Sequence, residues 1–331
     1  MKKILLVTGM AFVVAATAAS QSGAITIYTG RGKGLVEPLV QAYQQETGVK
    51  VNVRYGTDAQ LLAAVTEEGT RSPADIFWAN TSGTLGILSK NNNLLPLPGT
   101  ITNKATQFVP ASKRWVPLSV RFRVLAYNPA KIKAADLPKS VFDLPKLTAL
   151  KGRVGWTPTY SSFQDFVGAM AAIKGNAATS QWLAGMKTLE PKSYGTSNTQ
   201  MLEALRAGEI DVALTNHYYI LRFTKVGYQI GTHYFEQGDA GSLALVTGAG
   251  ILRSNKSLTG SQKFLNWLLS SKAQQFFSGE IFEYPVIKGA ILPSSLLPIT
   301  DMINRSPKID FDKLSDYVNN AQNLLREQGI I

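Results

Sequence analysis

The chain of 331 residues contains no cysteine and only two histidines. Without cysteine there are no disulfides and no lipid-modified cysteine anchor, and without a supply of thiolates or imidazoles a zinc- or copper-type centre has almost nothing to bind. No Gly-x-Ser-x-Gly and no phosphate-cradling glycine loop occur, and no nucleophile–base pair can be assembled, so an enzyme is not expected. Beyond residue 24 no run of about 20 apolar residues could span a membrane. Charged residues are sparse, 17% against 45% hydrophobic, an ordinary globular balance; the length is enough for a core without covalent staples and suggests two domains.

The charge that is present is lopsided. Formal net charge is +12, of which Lys2 and Lys3 contribute two. The basic residues are dispersed and no nucleic-acid motif accompanies them, so nucleic acid is not expected as a partner, whereas an anionic co-ligand suits the balance. Residues 1–24 read as an export signal: Lys2 and Lys3, an apolar stretch from Ile4 to Ala16, then small residues. Small-x-small sites leave the mature start open between Ala19 and Ile25. The expected mature protein is soluble and exported.

Alternating elements follow. Ala24–Tyr28 reads as a strand; Leu35, Val36, Leu39, Val40 and Tyr43 recur at helical spacing until Gly48; Val49 to Tyr55 alternate as a second strand. Thr57 or Asp58 caps a helix carrying Leu61, Leu62 and Val65, and Ala74–Trp78 is a third strand. A second unit has a strand at Gly152–Trp156, a helix from Phe163 opened by Ser161 or Ser162, a helix at Met201–Arg206 and a strand at Ile210–Thr215. Both units are β-α-β, which implies two α/β lobes with largely parallel sheets. The runs Val116–Tyr127 and Leu243–Leu252 are expected to cross between lobes, with a cleft between them, and a last helix bearing Phe311, Leu314, Tyr317, Val318, Ala321 and Leu324 to pack back on a lobe.

Three tyrosines fall where strands end. Tyr218 and Tyr219 close Ala213-Leu-Thr-Asn-His-Tyr-Tyr219, and Tyr160 stands in Trp156-Thr-Pro-Thr-Tyr-Ser-Ser-Phe163. In open α/β sheets ligands bind beyond the carboxyl ends of strands. A tyrosine pair alone is more often packing than a metal site. Three phenols together suit a hard trivalent ion: ionising one at neutral pH costs about 4 kcal/mol and three roughly 12, which only a strongly Lewis-acidic, oxygen-seeking ion such as Fe(III) offsets. His217 and His233 read as structural, His217 because strand alternation would turn it away from Tyr218.

These segments, with Ile25-Thr-Ile-Tyr-Thr-Gly30, Ser72-Pro-Ala-Asp-Ile-Phe-Trp78 and Arg121-Phe-Arg-Val-Leu-Ala-Tyr-Asn128, resemble the ferric-iron-binding periplasmic components of bacterial ABC importers over nearly the whole mature chain. The resemblance implies the two-lobed type II periplasmic-binding-protein fold, with lobes at 25–122 plus 249–297 and 123–248 plus 298–331. It also implies a periplasmic, monomeric protein that hands ferric iron to an inner-membrane ABC importer permease. Tyr160, Tyr218 and Tyr219 take the place of metal ligands. Gly32 and Asn80 stand where the best-known subgroup has a histidine and a glutamate, so the chain is similar to members that use extra tyrosines and a synergistic carbonate. Arg121 matches the family's hinge arginine, and Arg31, at the end of the first strand, could meet the anion from the other lobe. Ser161 and Ser162 would add donors at a helix start; Asn198 and Asn216 match polar positions near the anion, Asn216 orienting the tyrosine pair. The competing expectation is a carrier of another small solute, such as a phosphonate, a polyamine or thiamine.

Overall fold

The computed structural model describes residues 23–310 and 313–331. Most of the expected signal segment, 1–22, and Phe311 lie outside the described residues. The chain opens with β1 (Ile25–Thr29), α1 (Lys33–Thr47), β2 (Val51–Tyr55), α2 (Asp58–Glu68), β3 (Ile76–Ala79), α3 (Ser82–Lys90) and the short α4 (Gly99–Thr102). β4 (Val116–Tyr127), β5 (Val154–Trp156), α5 (Ser161–Thr188), β6 (Lys192–Ser193), α6 (Asn198–Arg206), β7 (Val212–Asn216) and α7 (His217–Lys225) follow. The remainder is β8 (Gly231–His233), β9 (Ala244–Ile251), α8 (Leu258–Leu268), α9 (Ser271–Phe276), β10 (Tyr284–Pro285), α10 (Ile299–Arg305) and α11 (Leu314–Glu327).

Local chemistry sets these boundaries. On α1 the expected Leu35, Val36, Leu39, Val40 and Tyr43 form the buried face, each buried aliphatic contributing about 1.5–3 kcal/mol. Gly48 ends the helix at φ 69°, with its N–H on the Gln44 carbonyl, a conformation that costs glycine nothing. Thr57, not Asp58, caps α2, in a reciprocal capping box with Gln60. That leaves Asp58 free for another task.

The strands run in the order β2-β1-β3-β9-β4-β7-β5-β6, with β8 and β10 also paired to β4. β1 is parallel to β2 and β3, and β5 is parallel to β6 and β7; β9 and β4 join the two sets antiparallel. β4 belongs to both sheets. Its first part, to Phe122, pairs with β9; from Arg123 to Tyr127 it pairs with β7. The molecule is thus two-lobed, and the two expected crossover runs lie side by side in its middle. α11 packs along α5 and also against α3, so the C-terminal helix touches both lobes. The α5–α11 approach is tight: a Cβ at Gly168 would stand 2.6 Å from the Tyr317 carbonyl.

Candidate metal centre

β5 and β7 are parallel neighbours, with Val154 opposite Val212 and Gly155 opposite Ala213. Their carboxyl ends therefore share one edge of the sheet, and α5 and α7 both begin there. Tyr160 is the N-cap residue of α5, extended at φ −86°. Tyr218 and Tyr219 do not continue the strand, as the alternation reading of His217 supposed, but sit in the first turn of α7, which Asn216 opens. The short amphipathic run after the strand continues directly into a helix, so His217 is oriented by helical geometry and not by strand alternation. It is structural nonetheless: its Nδ1 accepts from the Phe122 N–H at 3.1 Å and its Nε2 meets the Phe282 carbonyl at 2.8 Å. His233 likewise meets the Pro138 carbonyl, at 2.8 Å.

The tyrosine rings converge. Tyr218 and Tyr219 lie 4.1 Å apart, tilted by 30°, and the Tyr219 hydroxyl is within reach of those of Tyr218 and Tyr160. The Tyr218 ring is wholly buried and its hydroxyl has no well-formed hydrogen bond, while Tyr160 donates to Asn80 Oδ1 at 3.2 Å. Burial first, then the neighbouring phenols, pushes all three well above the usual tyrosine range, against the pull of Arg31 and Arg121. Without a metal they are neutral at physiological pH. Among the described residues no group of three or more His, Asp or Glu is placed to hold a metal ion, which leaves the phenols as the ligand set on offer.

The rest of the site is rich in donors. Arg31 is buried, with Nη1 bonded to Glu283 at 2.9 Å and to Thr247 at 3.2 Å, while its Nε and Nη2 have no partner. Burial opposes its charge, but Glu283 outweighs that and holds the guanidinium above the ordinary arginine range. Arg121 bonds Thr247 at 2.8 Å and the Asn80 carbonyl at 2.5 Å through its terminal nitrogens and leaves Nε free. Ser161 accepts from Asn80 Nδ2 at 2.8 Å. Ser162 Oγ, Asn198 Nδ2 and Asn216 Nδ2 are buried and unpartnered, although the Asn198 and Asn216 carbonyls accept from Thr215 and Arg123. Buried polar groups nearly always find partners. So many unpaired groups, almost all donors, have the chemistry to hydrogen-bond an oxygen-rich anion.

A cleft cavity of about 590 Å³ is lined by Arg31, Gly32, Tyr160, Ser161, Asn198 and Tyr219, among others. Tyr218, Arg121, Ser162 and Asn216 are buried and do not line it. Four charged side chains escaped the sequence reading. Glu283, bonded to Arg31 and Ser119, is buried; burial works against its charge, but Arg31 and Arg121 prevail and keep the carboxylate below its usual range. Arg123 bonds Asn216 at 3.3 Å and lies 5.1 Å from the Phe166 ring centre, its pKa pushed down to about 9 by burial and by Arg121. Strand alternation from Arg121 would have placed it on the same face. Asp58 accepts from the Asn80 and Thr81 N–H groups and Asp165 from Thr81; burial pushes them up to about 6 and about 7. Nothing local in the sequence signals Glu283.

Residues 27–275 match the model of the bacterial extracellular solute-binding proteins. The chain belongs to that family. It is 33% identical to the Fe(3+)-binding periplasmic protein of Serratia marcescens, over 99% of this chain and 96% of the relative. Among solved structures this solute-binding protein resembles iron-bound HitA from Pseudomonas aeruginosa, at 33% identity and TM-score 0.87 over 93% of this chain and 99% of the other. It is also similar to a Trichodesmium protein in complex with iron and citrate ligands, at 25% identity and TM-score 0.76 over 93% of this chain and all of that one.

Proposed function

We propose that this protein captures ferric iron in its interlobe cleft and delivers it to an ABC importer in the inner membrane. The observation that carries the reading is the meeting of three buried phenols, at the ends of adjacent parallel strands, with a surround of unpartnered donors. Tyr160, Tyr218 and Tyr219 bind the ion as phenolates. Three phenolates balance the trivalent charge but leave its coordination incomplete, and a bidentate carbonate adds two oxygens. Arg31 and Arg121 face the anion with free nitrogens, Ser161, Ser162 and Asn198 supply further donors, and Asn216 orients the start of the tyrosine helix. The lobes comprise residues 25–122 with 249–297 and 123–248 with 298–331. The exported protein, freed of residues 1–24, works as a monomer in the periplasm and performs no catalysis.

Iron-binding relatives at about one-third identity support the cargo, and the donor surround supports the anion. A polyamine carrier would need cleft carboxylates with their charge facing the ligand. Here Asp58 is already occupied by backbone N–H groups and Glu283 by an arginine, and Asp165, which also borders the cavity, is pushed up to about 7 by burial. The test is a ferric titration of the metal-free protein with and without bicarbonate. One ferric ion per chain and a visible phenolate-to-iron band are expected, both weakened when bicarbonate is removed. Equal affinity in buffer without carbonate or a substitute anion would overturn the anion's part, and absence of the band would overturn the phenolates'.

A further inference from the structure

The two lobes meet at the N-terminal end of α3, and each sends a carboxylate there. Asp58, from α2, belongs to the same lobe as α3 and accepts from Asn80 N at 3.0 Å, Thr81 N at 3.1 Å and Thr84 Oγ1 at 3.4 Å. Asp165, from α5, reaches across from the other lobe. It is 3% exposed, and it receives one long hydrogen bond, from Thr81 Oγ1 at 3.4 Å. The packing on its α3 side is tight, although Asp165 also borders the cleft cavity: a Cβ at Gly83 would stand 2.9 Å from Asp165 Oδ1 and 2.5 Å from Val318 of α11. A carboxylate this poorly bonded and this buried is unfavourable as an anion.

The charged groups around Asp165 are few. α2 contributes Asp58 and β4 contributes Arg121; the facing turn of α3 presents Thr81 and Gly83, and α11 presents Val318. Lys90 and Asp316 lie at the α3–α11 contact but are satisfied by one another at 2.8 Å. Separation of the lobes removes α3 from Asp165 and returns the carboxyl group to water, whereas Asp58 keeps its backbone bonds within its own lobe. We propose that Asp165 is a latch between the lobes that couples closure of the cleft to the uptake of one proton.

Burial, reinforced by Asp58 and moderated by Arg121, holds the Asp165 carboxyl at about 7 in the closed molecule. A solvated aspartate titrates near ~3.9. Because the closed-state value is the higher one, the proton favours closure; the contribution is complete below the open-state value and is lost as pH rises through 7. The latch acts on the lobe equilibrium itself and needs no metal.

The test uses the metal-free protein, so its outcome is independent of the ferric reading. Small-angle scattering from pH 5.5 to 8.5 is expected to show the wild-type radius of gyration falling as pH is lowered through about 7. Asp165→Asn, which imitates the protonated group at nearly the same volume, is expected to be compact throughout and to lose the dependence, with circular dichroism confirming its fold. A wild-type radius that stays constant, or an Asp165→Asn curve that follows the wild type, would overturn the proposal.

Discussion

Tyr218 carries a hydroxyl that the metal-free protein does not satisfy. An unpaired buried hydroxyl costs about 1–3 kcal/mol, so Tyr218→Phe is expected to leave the melting temperature unchanged or raised, since the ring contact with Tyr219 at 4.1 Å survives. Ferric affinity is expected to fall by about 100-fold or more, because even changes one layer out from a metal cost roughly 10–100-fold. Unfolding would instead make Tyr218 a packing residue. The raised pKa values of the three phenols fix the sign of the pH dependence. Each is protonated in the free protein and, on the proposed function, ionised in the complex, so binding is expected to release protons and affinity to fall as pH falls. A plot of log affinity against pH should rise between mildly acidic and neutral pH with a net slope of up to about two, three phenol protons released through one ion less the one that Asp165 takes up on closure. A slope near zero would show that the phenols stay protonated. These residues were legible in the sequence as candidates because each lies within four residues of the end of an apolar strand. Asp58, Asp165 and Glu283 were not: Glu283 meets Arg31 across 252 residues of chain, and Asp165 meets Thr81 across 84.

At the scale of elements, period and capping carried most of the fold. Gly48 and the buried stripe of α1 stand where the pattern placed them, and of the two caps the pattern left open for α2 the structure uses Thr57, since these features depend on a few neighbouring residues. The start of α7 was misread because a nine-residue helix that begins on the last residue of a strand gives no polar gap to mark the change. The long β4 was legible as a crossover, but its division between two partners at Phe122 and Arg123 is set by tertiary pairing. Gly83 on α3 belongs to the same class of hidden features. It is the point where α3 touches Asp165 and Val318, and an added methyl group has no space while the lobes are closed. Gly83→Ala is expected to weaken ferric binding about tenfold, ~1.4 kcal/mol, by disfavouring closure. The stability of the metal-free protein should change little, because an opened cleft accommodates the methyl group. Equal affinity, measured by competition with a chelator, would mean that iron binding does not require the α3 contact.

For the whole molecule, the buried charges explain why the site waits for its ligands. Arg31, Arg121 and Arg123 lie at the junction of the lobes, and Glu283 is the carboxylate bonded to one of them. On the proposed function, an anion and a metal that ionises the tyrosines would together supply what this interior lacks, and contacts with both sides of the cleft would favour the closed arrangement over the open one. The proposed chemistry requires tyrosines to ionise when iron binds. Ultraviolet difference spectroscopy counts ionised tyrosines directly as ferric ion is added to the metal-free protein in bicarbonate at neutral pH. Three ionised tyrosines per bound ion are expected, and two in Tyr160→Phe. Full ferric binding with no tyrosine ionised would contradict that chemistry.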